Sequence, residues 1–317
     1  VALSGGADST ALLLSLNDIF CEGKIGGLFA AHLNHGIRGE SALRDQQFCA
    51  ALCERLSIPF YTETLDVPGF AKERGQSLEL AARELRYAFL ERARIRFQAD
   101  VIATAHHQDD QAETLLLHLI RGSGLTGLCG MQPRNGVIIR PLLRVGRDEI
   151  VTFLHELDET YCEDETNAET AAMRNRIRHE IMPQLAQINP SIAQTLGKTA
   201  ELIAQDEALL TSLAEEAEAV ISFGDGLDRK ALCELEEPIA SRIVRKRIYE
   251  CCGQVSQADI RRVLALLPAQ TGTEIELHGR VSAWTDAQVL RIGEHPDTVE
   301  YEVLFVPEGE TITPRGT

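Results

Sequence analysis

The feature that most constrains the fold is an alternation of strand and helix patterns along about the first 200 residues. Short apolar runs rich in β-branched or aromatic residues occur at residues 27–31, 59–62 and 101–105. Helix-length stretches with periodically spaced apolar residues lie between them, at 10–16, 46–56 and 78–97. Strands that alternate with helices in this way usually pair in parallel. The pattern therefore predicts an α/β fold, a parallel sheet with helices on both faces and a Rossmann-like layering.

The pattern changes after Asn189-Pro190. A long acidic amphipathic helix is predicted over 191–221, followed by a Gly-Asp-Gly break, further helices to about Leu267 and then short strand-like pieces such as 274–277. With 317 residues the chain exceeds the usual size of a single core. We therefore predict an α/β domain at 1–200, a second, mainly helical domain at 201–297, and the start of a further segment at 298–317. Because the sequence begins inside an apparent strand, we expect it to be part of a longer protein.

Composition and charge exclude several classes of protein. No apolar run approaches the length of a membrane span, so we expect no membrane association. The eight cysteines show no CxxC pairs, which favours free thiols in a cytoplasmic protein. A net charge of -17 argues against general affinity for polyanions, so a nucleic-acid partner would need a local basic patch. The sequence leaves open whether the chain acts alone or as a homodimer.

A glycine-rich loop, Ser4-Gly5-Gly6-Ala7-Asp8-Ser9, lies between the apolar Val1-Ala2-Leu3 and a helical stretch. Glycines at a strand-to-helix turn, with free N–H groups at a helix N-terminus, form a cradle for phosphate groups. The lysine of a Walker A motif is absent, whereas Asp8 suits a Mg²⁺ ion that carries phosphates. The alternative is a plain capped turn, in which Ser4 and Ser9 only satisfy backbone donors.

An acidic cluster follows the predicted strand at 101–105. If 109–120 is helical, Asp109, Asp110 and Glu113 share one side of the helix, while the other side faces the core through Ala112, Leu115, Leu116 and Leu119. With His106 and His107 they would lie at the carboxyl end of the strand, where open α/β sheets bind ligands. An acidic helix start that only complements the helix dipole stays open, and one of the two histidines is expected only to pack or cap.

A second glycine pattern, Gly122-Ser123-Gly124-Leu125-Thr126-Gly127, fits the dinucleotide fingerprint G-x-G-x-x-G. The preceding residues 112–120 carry leucines at helical spacing, whereas the fingerprint requires a preceding strand. We interpret these glycines as a flexible loop near the nucleotide.

The first loop resembles the S-G-G-x-D-S signature of the PP-loop ATP pyrophosphatases, which cleave ATP to AMP and pyrophosphate. Within that superfamily, the chain is similar to the tRNA(Ile)-lysidine synthetases over residues 1 to about 190. The stretches that carry this resemblance are Asn34-His35-Gly36-Ile37-Arg38, 77–87, 103–114, Arg121-Gly122-Ser123-Gly124, Arg140-Pro141-Leu142 and Arg174-Asn175-Arg176-Ile177-Arg178.

The resemblance implies a PP-loop ATPase fold and an ATP-dependent ligase that acts on tRNA(Ile) with a CAU anticodon. ATP, with Mg²⁺, would transfer AMP to the carbonyl oxygen of the wobble cytosine, and the ε-amine of free L-lysine would then displace AMP. It implies that the lysine amine is held by Asp110 and Glu113 and the pyrophosphate charge by Arg83, Arg86 or Arg121. The residues expected to bind the nucleotide are Ser4, Gly5, Gly6, Ala7, Asp8, Ser9, His106 and Arg121.

RNA contacts have weaker support in the sequence. Basic residues alternate at Arg174, Arg176 and Arg178, and a second group in the predicted helical domain comprises Arg242, Arg245, Lys246, Arg247, Arg261 and Arg262. Such clusters bind phosphates, or they balance neighbouring glutamates. Other classes stay open: a PP-loop tRNA thiolase, a small-molecule amide ligase of the NAD synthetase kind, and a non-catalytic nucleotide-binding module.

Overall fold

The computed structural model describes residues 1–36, 39–162 and 172–294. These residues fall into two compact units, which divide between Glu207 and Ala208. The sequence-predicted segment at 298–317 and two residues of the 34–38 motif lie outside the described residues. No described helix is long and apolar enough to cross a membrane.

The first unit is built on a sheet whose centre is the amino-terminal segment of the chain. Val1–Leu3 runs parallel to its neighbour β1 (Ala30–Asn34), and the Leu3 amide donates to the Ala31 carbonyl at 2.9 Å. On its other side, the Ala2 amide donates to the carbonyl of Ala103 in β3 (Ile102–Ala103) at 2.9 Å. Parallel pairing continues outward to β2 (Phe60–Thr64) and β5 (Ile138–Ile139), and β4 (Arg134–Asn135) adds an antiparallel edge. The predicted parallel sheet is confirmed.

Helices cover this sheet, and four of them overlap the stretches predicted at 10–16, 46–56, 78–97 and 109–120. The helices are α1 (Ala7–Cys21), α2 (Glu40–Arg55), α3 (Val67–Arg74), α4 (Leu78–Phe97), α5 (Gln108–Ile120), α6 (Leu125–Leu128) and α7 (Arg147–Glu156). The start of α4 is fixed locally, because the Ser77 hydroxyl accepts from the Leu80 amide at 3.3 Å. Two apolar clusters result, one around Leu13 and Leu154 and another around Phe89.

The remaining helices of this unit follow residue 171. They are α8 (Ala172–Arg176), a five-residue π-helix (Ile177–Ile181), α9 (Met182–Ile188) and the amino-terminal part of α10 (Ile192–Ile221). The π-helix carries Arg178, and short π segments of this kind occur frequently at functional sites. The boundary between the two units falls within α10, between Glu207 and Ala208.

The second unit combines helices with a small sheet. After α10 come β6 (Ser222–Phe223), β7 (Gly226–Asp228), α11 (Arg229–Glu234), α12 (Glu237–Cys252), α13 (Gln257–Leu264), β8 (Glu274–Glu276), β9 (Val281–Thr285) and β10 (Val289–Glu294). The strands form an antiparallel sheet in the order β6-β7-β10-β9-β8. The hydrophobic core of the second unit includes Ile243, Ile248 and Leu290. The predicted helices are present, strands β8 to β10 lie where strand-like pieces were expected after Leu267, and β6 and β7 were not predicted.

Candidate active site

The loop Ser4 to Ser9 is held in shape by one buried side chain. The Ser9 hydroxyl accepts from the amides of Ser4 (3.1 Å) and Gly5 (3.2 Å) and donates to the Gly6 carbonyl (3.1 Å). The first intrahelical amide of α1 is that of Thr10, which donates to Gly6 at 3.0 Å. The amides of Ala7, Asp8 and Ser9 therefore precede any intrahelical acceptor, and these are the donors that an anion would meet.

Gly5 is the position in the loop that requires glycine. Its φ of +95° lies in a region that residues with a side chain rarely adopt. A Cβ atom there would also lie 3.3 Å from Cys49 Sγ and 3.4 Å from Cys162 Sγ, so the space behind the loop is filled. Gly5 thus sets the path by which the backbone turns into α1.

Asp8 presents two chemically different carboxylate oxygens. Its Oδ1 atom is buried and has no hydrogen-bond partner within the described part of the chain, whereas Oδ2 lies 3.7 Å from Nε2 of His107. Burial raises the pKa of Asp8, and the positive charge of His107 acts in the opposite direction. A buried carboxylate oxygen without a partner fits a hard cation such as Mg²⁺. Among the described residues, no three His, Cys, Asp or Glu side chains could hold a metal by themselves, so phosphate oxygens and water would complete the shell.

His107 joins the loop to the beginning of α5. It is 2% exposed, and its Nδ1 accepts from the Asp109 amide at 3.2 Å while its own amide donates to Asp110 Oδ2 at 3.2 Å. Burial lowers the pKa of His107, but its pairing with Asp109 and the charges of Asp110 and Asp8 outweigh burial and raise it. His107 therefore caps α5, as was expected of one of the two histidines, and it also lies between the loop and the acidic cluster.

The predicted acidic side of α5 is buried and compensated by arginines. Glu113 accepts from Arg178 Nε at 2.5 Å and from Arg174 Nε at 2.9 Å, while Asp110 Oδ1 accepts from both arginines at 3.1 Å. We call Asp110, Glu113, Arg174 and Arg178 the ion quartet. Asp109 points elsewhere and accepts from the Arg147 amide at 3.1 Å.

One expectation for this region is wrong. Leu119 was expected in the core but is 57% exposed, because the buried face of α5 contains Gln111, Ala112 and Leu115 and ends before it. The predicted basic group of Arg174, Arg176 and Arg178 is divided in the structure. Arg176 pairs with Glu180 at 3.3 Å on the surface, whereas the other two belong to the ion quartet.

A cavity of about 230 Å³ opens beside the loop. Its apolar wall includes Leu3, Leu33, Phe89 and Leu90, and its polar wall includes Ser4, Asp8, His35, Arg86, Thr104 and His106. His106 Nδ1 lies 3.0 Å from the Thr104 hydroxyl, and burial lowers the pKa of His106 to about 4. A neutral histidine and a mixed apolar and polar lining suit a nucleoside.

The structure brings most of the predicted nucleotide-binding residues together but separates one of them. Arg86 lines the cavity, and both Arg86 and Arg83 contact the ring of Tyr87, at 5.7 and 5.1 Å. Arg121 follows the 13-residue helix α5, roughly 20 Å from the end that carries His107. The structure therefore does not bring Arg121 to the loop.

Sequence reasoning did not assign roles to His107 or Arg140. Arg140 is 8% exposed, its Nη1 donates to the Gln132 carbonyl at 2.6 Å, and its Nε has no partner in residues 1–36, 39–162 and 172–294. It follows β5 directly, beside Thr104, whose amide donates to Ile139 at 3.0 Å. The sequence features that could have indicated these two residues are the adjacent histidine pair and the position of an arginine at the end of a strand.

Comparisons with known proteins agree with this geometry. The family model described as a PP-loop domain matches residues 1–185. The chain is 38% identical to a tRNA(Ile)-lysidine synthase of Bacteroides thetaiotaomicron over 276 residues, which is 86% of this chain and 62% of that protein. It is 40% identical to the enzyme of the same name from Geobacter sulfurreducens over 275 residues, 83% of this chain and 56% of that one.

Among solved structures, the chain resembles the U34-tRNA thiolase NcsA from Methanococcus maripaludis, whose structure includes a [4Fe-4S] cluster. The TM-score is 0.53 with 20% sequence identity, covering 64% of this chain and 71% of that one. This likeness shows the fold alone. The matched family model spans the loop, the cavity and the ion quartet. The chain therefore belongs to the PP-loop domain family.

Proposed function

We propose that the chain ligates L-lysine to the wobble cytidine of tRNA(Ile) with a CAU anticodon, with cleavage of ATP to AMP and pyrophosphate. The observation that carries the proposal is its identity of 38% to 40% with tRNA(Ile)-lysidine synthases along more than four fifths of its length. The chain spans less than two thirds of those relatives, so the activity of the whole protein is inferred. An enzyme that acts on tRNA would work in the cytoplasm.

The chemistry has two steps. First, the cytosine carbonyl oxygen attacks the α-phosphorus of ATP and pyrophosphate leaves. The cytosine oxygen, a poor leaving group by itself, becomes a good one once it carries AMP. Next, the ε-nitrogen of lysine attacks the same ring carbon, and the carbon–oxygen bond breaks so that AMP leaves with that oxygen. The lysine ammonium must lose a proton before it attacks, since its ordinary pKa is about 10.4.

The loop and the cavity supply the nucleotide site in this proposal. Amides of Ala7, Asp8 and Ser9 would hold the phosphates, and the cavity that contains His106 and Arg86 would accept the nucleoside. Asp8 would hold Mg²⁺, which supplies positive charge to offset that of the phosphates. Arg86 is our candidate for the cation that stabilises the departing pyrophosphate, because it lines the same cavity as Asp8.

Asp110 and Glu113 would bind the lysine amine. In the structure their negative charges are balanced by Arg174 and Arg178, at distances of 2.5 to 3.1 Å. An incoming ammonium must therefore share or replace a guanidinium partner. Both arginines keep about a third of their side chains exposed, at 36% and 27%, which leaves them room to move.

The second unit offers a smaller basic surface for tRNA than its sequence indicates. Lys246 and Arg247 both pair with Glu218, at 2.8 and 2.6 Å, so the glutamate offsets part of their charge. We propose that contacts between this surface and tRNA phosphates depend on the positive charge that Lys246 and Arg247 retain when they pair with Glu218.

A tRNA thiolase is the alternative from the same fold. That chemistry needs a reactive thiolate near the nucleotide, and the cysteines beside Gly5 are Cys49 and Cys162. Burial raises the pKa of Cys162 to about 11 and also raises the pKa of Cys49, which disfavours thiolates at neutral pH. The cysteine chemistry therefore favours the ligase.

Labelled lysine, ATP and a tRNA(Ile) transcript with a CAU anticodon test the proposal. We expect stoichiometric lysine incorporation, AMP and pyrophosphate, and no incorporation into the same transcript with a GAU anticodon. Sulfur incorporation would indicate a thiolase, a small-molecule amide would indicate the other ligase class, and absence of ATP cleavage would indicate a binding module. Each of these three results would contradict the proposal.

A further inference from the structure

The two ring nitrogens of His107 have different neighbours. Nδ1 lies at the start of α5, 3.2 Å from the Asp109 amide and 3.4 Å from Asp109 Oδ2. Nε2 carries a proton, because the groups that it faces are carboxylates, which only accept. That nitrogen faces two carboxylates that belong to different helices, Asp8 Oδ2 at 3.7 Å and Asp110 Oδ2 at 3.5 Å.

The two oxygens of Asp8 consequently have unequal surroundings. Oδ2 faces the Nε2–H group, whereas Oδ1 is buried and has no partner among the described residues. A carboxylate that is free to rotate would exchange these two oxygens. A donor that engages one of them fixes which oxygen stays available to a ligand.

Capping alone does not explain a histidine at this place. Serine, threonine, aspartate and asparagine are the preferred N-cap residues, and each satisfies a helix amide with a smaller side chain. The imidazole adds a second nitrogen that reaches beyond the cap toward the loop. It is also 2% exposed, so it is held in one orientation by its surroundings.

We infer that His107 is a positioning residue: its Nε2–H group orients Asp8 so that Oδ1 faces the divalent cation bound with ATP. The inference rests on the ATP site of the proposed function and does not depend on lysine or tRNA. It assigns the two ring nitrogens to different tasks. Nδ1 caps α5, and Nε2 sets the geometry of the loop carboxylate.

Two substitutions separate these tasks. His107→Asn keeps an acceptor near the position of Nδ1 and removes the group at Nε2, whereas His107→Gln keeps a donor near Nε2 and weakens the cap. The measurement is the dissociation constant of ATP by titration calorimetry, with and without Mg²⁺, beside a thermal unfolding curve for each variant. The Mg²⁺-dependent gain in ATP affinity is the quantity compared.

For His107→Asn we expect wild-type thermal stability, unchanged ATP affinity without Mg²⁺, and a Mg²⁺-dependent gain in ATP affinity that is reduced about tenfold, because one partly buried charge contact to Asp8 is lost. For His107→Gln we expect lower thermal stability and an unchanged Mg²⁺-dependent gain in ATP affinity. The inference is overturned if His107→Asn keeps the full Mg²⁺-dependent gain in ATP affinity. It is also overturned if both variants lose that gain in proportion to their loss of thermal stability. Wild-type chain that binds Mg²⁺ and ATP but transfers no lysine would contradict only the proposed function.

Discussion

Arg178 contacts both carboxylate oxygens of Glu113, with Nε 2.5 Å from Oε1 and Nη2 2.9 Å from Oε2. This forked pair lies between α5 and the π-helix, and Arg174 and Asp110 complete the ion quartet around it. Two carboxylates and two guanidinium groups leave no net charge in the quartet. It therefore stabilises the site only while all four members are present.

Replacing Glu113 by alanine tests that statement. The change leaves two partly buried guanidinium groups with Asp110 alone, so we expect the free energy of unfolding in urea to fall by about 3 kcal/mol. Arg176→Ala is the control, because the surface pair Arg176–Glu180 should contribute less than about 1 kcal/mol. Equal effects of the two changes would show that the quartet adds no special stability.

Asp110→Asn should separate the two half-reactions. The amide preserves the shape of the side chain but lacks the charge that would hold an ammonium. We expect tRNA adenylation to continue, measured as labelled AMP on RNA, while the lysine concentration needed for transfer rises about a hundredfold. If adenylation falls in step with transfer and recovers at high Mg²⁺, Asp110 belongs to the ATP site instead.

Two neighbouring glycines provide a test of the loop. Gly5→Ala places a side chain at a φ of +95° and against two sulfur atoms, so we expect a loss of about 1 to 3 kcal/mol in stability. At Gly6, φ is -72° and the nearest atoms to a Cβ are 3.7 and 4.0 Å away, so Gly6→Ala should fold normally. Urea unfolding distinguishes them, and equal stability of the two variants would refute this description of the loop.

Acid should destabilise the second unit in part through Asp259. The hydrogen bond from Ser256 lowers the pKa of this buried carboxyl, burial opposes that effect, and His278 lowers it further. The stability that Asp259 contributes is therefore present above the ordinary pKa of about 3.9 and is lost as the pH falls through the lower, folded-state pKa. Between pH 6 and pH 3 the wild type should lose more stability than Asp259→Asn.

Fluorescence of Trp284, the one tryptophan of the sequence, reports this unfolding because the residue lies in β9 of the second unit. If wild type and Asp259→Asn lose the same stability between pH 6 and pH 3, other groups cause the acid sensitivity.

Local signals explain which parts of the fold the sequence predicts well. The bounds of α4 agree with the predicted 78–97, because Ser77 caps its start and a left-handed Gln98 ends it. The start of α10 is also close to its prediction. By contrast, the bounds and pairing of β9 and β10 were not predicted, since both strands are short and their register depends on contacts with each other.

The candidate site also combines local features, which the sequence predicts, with long-range contacts, which it does not. The loop and its aspartate are readable from the sequence because glycine, a helix start and an anion cradle are local features. The ion quartet is not, since Arg174 lies 61 residues from Glu113 along the chain and no periodic pattern links them. The burial of Glu113 depends on those arginines, so an isolated helix pattern could only predict an exposed acidic face.

The central claim is that the cytosine carbonyl oxygen is adenylated and then leaves with AMP. A tRNA(Ile) carrying ¹⁸O at position 2 of the wobble cytosine tests it directly, with the AMP product analysed by mass spectrometry after lysine transfer. Our account predicts that each lysine incorporated yields one AMP whose phosphate contains ¹⁸O. Unlabelled AMP, or ¹⁸O retained in the tRNA after lysine is attached, would contradict it.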